Sequence, residues 1–239
     1  MDTIRIHKGK TLMIAHRGAS ALELENTCPA FVAAGNRSYY GMETDLQRTL
    51  DGAFVCFHDA TTGRLADVDL TIEETNLDTL LNLQLIDPDD TGTRCDHRII
   101  TLSEYVRICK RYGKVGVLEV ASHFTALELV QIIECIKREN YLSGILFISF
   151  ILENLIGIRT VLPDQPCQYL VSTFTDDLTD TLKTYSFDLD IEYHAVTQEL
   201  ISKLHENGIR VNAFTVDDPA EAERLVTWGI DYITTNALE

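Results

Sequence analysis

A chain of 239 residues, 45% hydrophobic and 24% charged, has an ordinary globular composition and the length of two small domains or one α/β barrel. Its formal net charge of -17 argues against binding nucleic acid or an anionic membrane, because both need clustered cations. The start MDTIRIHKGK lacks the apolar core of a secretion signal, and no apolar run reaches the roughly 20 residues of a bilayer span. The six cysteines include no CxxC pair and lie mostly in apolar runs, so reduced thiols and a cytoplasmic location are expected.

The first strand candidate, LMIAH (12–16), ends on His16 and runs into Arg17 and Gly18. Asn26, in ENT, precedes a helical stretch and either contacts substrate or caps that helix, the cap being the favoured reading. GMETD (41–45) carries Glu43 and Asp45 two apart, which turns both side chains to one side of a strand. Asp51-Gly52 is a hairpin signal joining that run to FVCFH (54–58), with no room for a crossover helix, so an antiparallel pair is expected. His58 and Asp59 end this run. Residues 60–100 are acidic and turn-rich without a clear barrel strand, and are read as an insertion or lid.

Regular alternation then resumes. Thr101 and Glu104 have capping-box spacing at the head of a helix that stops at Gly113. The strand VGVLEV (115–120) brings Glu119 near its end, and Thr125 with Glu128 opens the next helix in the same way. ILFIS (145–149), CQYLV (167–171), FDLDI (187–191), IRVNAFTV (209–216) and DYIT (231–234) are brief apolar runs bounded by Gly, Asp, Asn or Pro. They suit strands buried on both faces. Asp218, Pro219 and Gly229 supply the cap, first turn and stop of the last helix.

Strand–helix alternation implies a parallel sheet. No glycine-rich phosphate loop follows the first strand, so a closed (β/α)8 barrel is favoured over an open sheet. The chain is read as one barrel domain over 1–239, distorted by the hairpin and carrying the 60–100 insertion after its third strand. In such a barrel the chemistry sits where strands end. His16, Arg17, Glu43, Asp45, His58 and Glu119 would then share one face. Carboxylates crowded there repel one another, and a divalent cation removes the repulsion. Oxygen ligands favour Mg2+ or Ca2+. Two histidines can serve as general acid and base, and Arg17 can grip an anion.

HRGAS…ENT, ETDLQRTLDGAFVCFHD, LEV and NAFTVDDPAEAERLVTWGIDYITT, in that order, resemble the glycerophosphodiester phosphodiesterase family. The resemblance runs from residue 12 to the C-terminus and is weakest over 60–100. It implies a TIM barrel that hydrolyses small glycerophosphodiesters to glycerol 3-phosphate and an alcohol, by way of a cyclic phosphate. By the same resemblance His16 and His58 are the acid–base pair, Glu43, Asp45 and Glu119 hold the metal, and Arg17 binds phosphate. Phe214 stands where the family has tryptophan, and implies an apolar wall against substrate. Ala121 stands where the family has a phosphate-binding lysine, with His123 as a nearby substitute, and Leu24 replaces a proline. Two alternatives follow from these departures. One is a different small diester, such as a sugar phosphodiester or lysophospholipid. The other is a barrel that binds a phosphorylated ligand without turnover.

Overall fold

The computed structural model describes residues 2–88 and 94–239. Among them, ten strands form one sheet: β1 (Leu12–Ala15), β2 (Gly41–Arg48), β3 (Phe54–Cys56), β4 (Ile100–Thr101), β5 (Val115–Val120), β6 (Ile145–Ser149), β7 (Cys167–Val171), β8 (Asp188–Glu192), β9 (Val211–Phe214) and β10 (Tyr232–Thr235). The helices are α1 (Cys28–Gly35), α2 (Leu77–Asn82), α3 (Leu102–Tyr112), α4 (Ala126–Arg138), α5 (Leu152–Val161), α6 (Leu178–Tyr185), α7 (Gln198–Glu206) and α8 (Pro219–Trp228). Strand β1 pairs in parallel with β10 on one side and with β2 on the other, which closes β1, β2 and β5 to β10 into an eight-stranded parallel barrel. This is the TIM barrel, with helices packed outside it.

The hairpin is present as expected. β3 runs antiparallel to β2, with Leu46 opposite Cys56 and Arg48 opposite Phe54, and β4 extends the ribbon beyond β3. The third strand candidate is therefore an offshoot, not a barrel stave. β2 reaches Arg48, past the expected GMETD, because its far half pairs with β3.

Alternation along each strand sorts the side chains. Ile14, Val117, Leu146, Ile148, Leu170 and Tyr232 form an apolar cluster inside the barrel. The opposite faces of the same strands pack under the helices in a larger core that includes Met13, Met42, Leu118 and Phe147. Both expected capping boxes form, at Thr101–Glu104 and Thr125–Glu128, and Asp218 caps α8 while Gly229 ends it in the left-handed region.

The 60–100 segment has its own small core. Leu65, Ile72, Leu80, Leu85 and Ile99 pack with Val55 and Phe57 of the hairpin and with Leu24. Part of this insertion, 89–93, lies outside the described residues. No helix among the described residues is long and apolar enough to cross a membrane.

Candidate active site

The β2–β5 pairing sets Asp45 directly beside Glu119, and Glu43 lies two residues below Asp45 on the same face. One carboxylate oxygen from each of Glu43, Asp45 and Glu119 falls within 4.8 Å of the others. Glu43 and Asp45 are each only 2% exposed. Glu43 Oε2 accepts the Arg17 backbone N–H at 2.8 Å, while Oε1 is buried and has no hydrogen-bond partner among the described residues. Burial, with Asp45 and Glu119 adding repulsion, holds the Glu43 carboxyl well above the usual range. Burial and the charges of Asp45 and Asp190 push Glu119 up to about 8. Such a cluster is strained by charge as it stands. Its hard oxygen donors and the orphaned Oε1 fit a divalent cation such as Mg2+ or Ca2+.

The histidines stand at the rim. His16 follows β1, and its Nδ1 lies 2.8 Å from Asn236 Oδ1. The Asn236 amide is itself oriented by donating Nδ2–H to Asp217. An amide oxygen only accepts, so His16 Nδ1 carries the proton and Nε2 has the free lone pair. Burial, then the nearby Arg17 charge, lowers the His16 pKa. His58, beyond β3, is 44% exposed and pairs through Nδ1 with Asp59 Oδ1 at 2.6 Å.

Arg17 sits in the left-handed region at φ 54°, where its backbone can bond Glu43. Its guanidinium bonds Glu25 at 2.9 Å, and Nε lies 3.3 Å from Asp45 Oδ2. Gly18 follows at φ 81°, and a Cβ there would come within 2.7 Å of the Ala30 carbonyl carbon. The turn after β1 thus tolerates only glycine at this position.

His16, Arg17, Glu43, His58 and Glu119 line one cavity of about 280 Å³, together with Phe214 among others. Phe214 meets Phe150 edge-on at 5.9 Å, making an aromatic wall. His123 does not line this cavity: its loop leaves it exposed on the surface.

Residues 16–239 match the model of the glycerophosphoryl diester phosphodiesterase family. The chain belongs to that family. A glycerophosphodiester phosphodiesterase of Caldanaerobacter subterraneus subsp. tengcongensis is 27% identical over 235 residues, covering 95% of this chain and 94% of the relative. One from Bacillus subtilis is 24% identical over 255 residues, with 95% and 84% covered. An Oleispira antarctica phosphodiesterase, solved in complex with the product sn-glycerol-3-phosphate, superposes with a TM-score of 0.86 at 25% identity, covering 97% of this chain and 95% of that one.

Several residues that support this phosphodiesterase site are not picked out by the sequence. Asn26 is not the α1 cap: Thr27 occupies that position without a side-chain bond. At φ 55° the Asn26 backbone turns its buried amide inward, where Nδ2 donates to Asp45 Oδ2 at 2.8 Å and Oδ1 accepts from Thr44 at 2.7 Å. Asparagine is among the few non-glycine residues at ease there, which was the available signal. Arg64, from the insertion, bonds both Glu25 and Asp59, linking the Arg17 side of the site to the His58 side. Gln47 donates to the His58 carbonyl at 3.0 Å and accepts from Ser122 at 3.0 Å, tying the hairpin to the loop after β5.

Proposed function

We propose that this phosphodiesterase hydrolyses a glycerophosphodiester to glycerol 3-phosphate and an alcohol, using Mg2+ or Ca2+ held by Glu43, Asp45 and Glu119. The observation that carries the reading is the buried carboxylate trio, with one oxygen unpartnered, two of whose members, Glu43 and Glu119, line the same cavity as His16 and His58. The activities of the relatives and the product bound to the Oleispira enzyme support the substrate class.

When bound, the ion would neutralise phosphate charge and polarise the phosphorus. His16 is the base: its pKa is lowered, its Nδ1 proton is fixed by Asn236, and Nε2 is free to take a proton from the attacking hydroxyl of the glyceryl group. His58, oriented by Asp59, delivers a proton to the departing alcohol oxygen. The phosphorus–alcohol bond breaks as the ring-closing bond forms, giving a cyclic phosphate. Water then opens the ring with the two histidines exchanging roles. Arg17 directs its remaining N–H groups at the phosphate oxygens, while Glu25 and Asp45 hold it in place.

Ile148, Phe150, Leu170 and Phe214 make one wall of the cavity apolar, which favours a lysophospholipid as the second candidate substrate. All six cysteines are free thiols, which supports a cytoplasmic enzyme.

The test is turnover of glycerophosphocholine, glycerophosphoethanolamine, glycerophosphoglycerol and a lysophospholipid by purified protein, followed by phosphorus NMR. Glycerol 3-phosphate should appear only with added Mg2+ or Ca2+. Rates no higher than those of H16A would leave a ligand-binding barrel without turnover.

A further inference from the structure

Asp190, on β8, is a carboxylate that the proposed reaction does not use. It projects inside the barrel, lines the active-site cavity and is 1% exposed. Its Oδ2 accepts from Asn212 Nδ2 at 3.0 Å. Its Oδ1 is buried and has no hydrogen-bond partner among the described residues. Asn212 is not free to serve both oxygens, because its Nδ2 also meets Gln168 Oε1 at 3.2 Å and Thr234 Oγ1 at 3.1 Å. Its Oδ1 in turn accepts from Thr234 at 3.3 Å. The cavity wall includes Ile148, Leu170 and Phe214, whose side chains offer no donor, and Thr234, whose hydroxyl is taken up by Asn212. Asp190 thus keeps one buried oxygen beside the cavity with no hydrogen-bond partner among the described residues.

We infer that Asp190 Oδ1 shares a hydrogen bond with a hydroxyl of the substrate's glyceryl group, which makes Asp190 a specificity-determining residue. The inference rests on the phosphodiesterase reading above. The phosphate end of a ligand belongs beside Arg17 and His16, which offer it positive charge and N–H donors. What remains for Asp190 is the other end of a small molecule, where a hydroxyl can donate to the carboxylate or accept from the protonated carboxyl. An ammonium would bring three N–H donors into a corner with one free acceptor, leaving the others buried and unmet. A hydroxyl brings one. A site built around a hydroxyl rejects analogues that lack it far more strongly than an apolar site rejects a size difference.

The experiment is calorimetric binding, in CaCl2, of three phosphate monoesters: glycerol 3-phosphate, propyl phosphate and phosphoethanolamine. The native protein should bind glycerol 3-phosphate at least about tenfold more tightly than propyl phosphate. In D190L the two should come within about threefold, with propyl phosphate affinity unchanged. D190N keeps the bond to Asn212 and leaves an N–H in place of the free oxygen; at pH 9, where Asp190 is ionised, it should reduce the preference by at least about threefold if D190L fails to fold. No preference in the native protein would mean that water alone occupies the floor, and would overturn the inference. So would a preference that survives D190L, an equal loss for all three probes, or a loss confined to phosphoethanolamine. The two readings fail separately. A hydroxyl preference without any diester turnover defeats the hydrolase reading and leaves this site standing, while turnover without the preference does the reverse.

Discussion

Adding Ca2+ or Mg2+ to the metal-free protein should release protons at neutral pH, and fewer at alkaline pH. The Glu119 carboxyl, pushed up to about 8 by burial and then by Asp45 and Asp190, holds its proton in about nine molecules of ten at pH 7. A metal ion takes only the ionised form. Glu119 alone should therefore surrender most of a proton per ion at pH 7 and little at pH 9. Glu43, held well above the usual range by burial and by its two acidic neighbours, adds its own proton to the total. Metal affinity should accordingly climb about tenfold per pH unit for each proton displaced, and flatten once Glu119 has ionised. Calorimetric titrations in buffers of different ionisation enthalpy, at pH 7 and pH 9, read the count directly. The difference between the two pH values should shrink in E119Q, leaving only what Glu43 contributes. No release at pH 7, or equal release at both pH values in native protein, would refute the placement of the ion on this trio.

The same raised carboxyls set the pH dependence of stability. Glu119 and Asp190 hold protons in the folded state up to about pH 8 that the unfolded chain has already lost, so metal-free stability is full at acid pH and declines as pH rises towards 8. Melting scans should fall from pH 5 to pH 9, and Ca2+ should raise the melting temperature more at pH 9 than at pH 5; a flat profile would contradict this. H16A and H58A should each lower kcat by about 10²- to 10⁴-fold with little change in melting temperature. N236D places a carboxylate on His16 Nδ1, which favours the imidazolium, so the acid limb of the kcat/KM profile should move to higher pH. An unshifted limb would remove His16 as the base. G18A should destabilise by about 2 kcal/mol or more, because the new Cβ both meets the Ala30 backbone and sits at positive φ. A stability equal to native by urea unfolding would count against that turn.

Much of this site is legible in the chain because strand period and strand ends carry it. Glu43 and Asp45 are two apart, Glu119 ends its own apolar run, and closing the barrel brings β5 beside β2. The hairpin is equally legible, since Asp51-Gly52 leaves no length for a crossover. Asn236 is different. Its bond to His16 joins residues 220 apart and depends on β10 docking beside β1, which no local pattern specifies. Asn26 was misread as a cap because a polar residue before a helix has two uses, and only the left-handed turn at that position distinguishes them. Asp190 is an intermediate case. Alternation in FDLDI gives Asp188 and Asp190 the same face, but Asp188 pairs with Arg210 near the other end of the strand while Asp190 stays inside.

The most direct measurement is a diffraction experiment on crystals soaked in Mn2+ with glycerol 3-phosphate, using the anomalous signal to locate the ion. The account requires one peak ligated by Glu43, Asp45 and Glu119, with the phosphate beside His16 and Arg17. A peak elsewhere, or phosphate bound away from the three carboxylates, would contradict it.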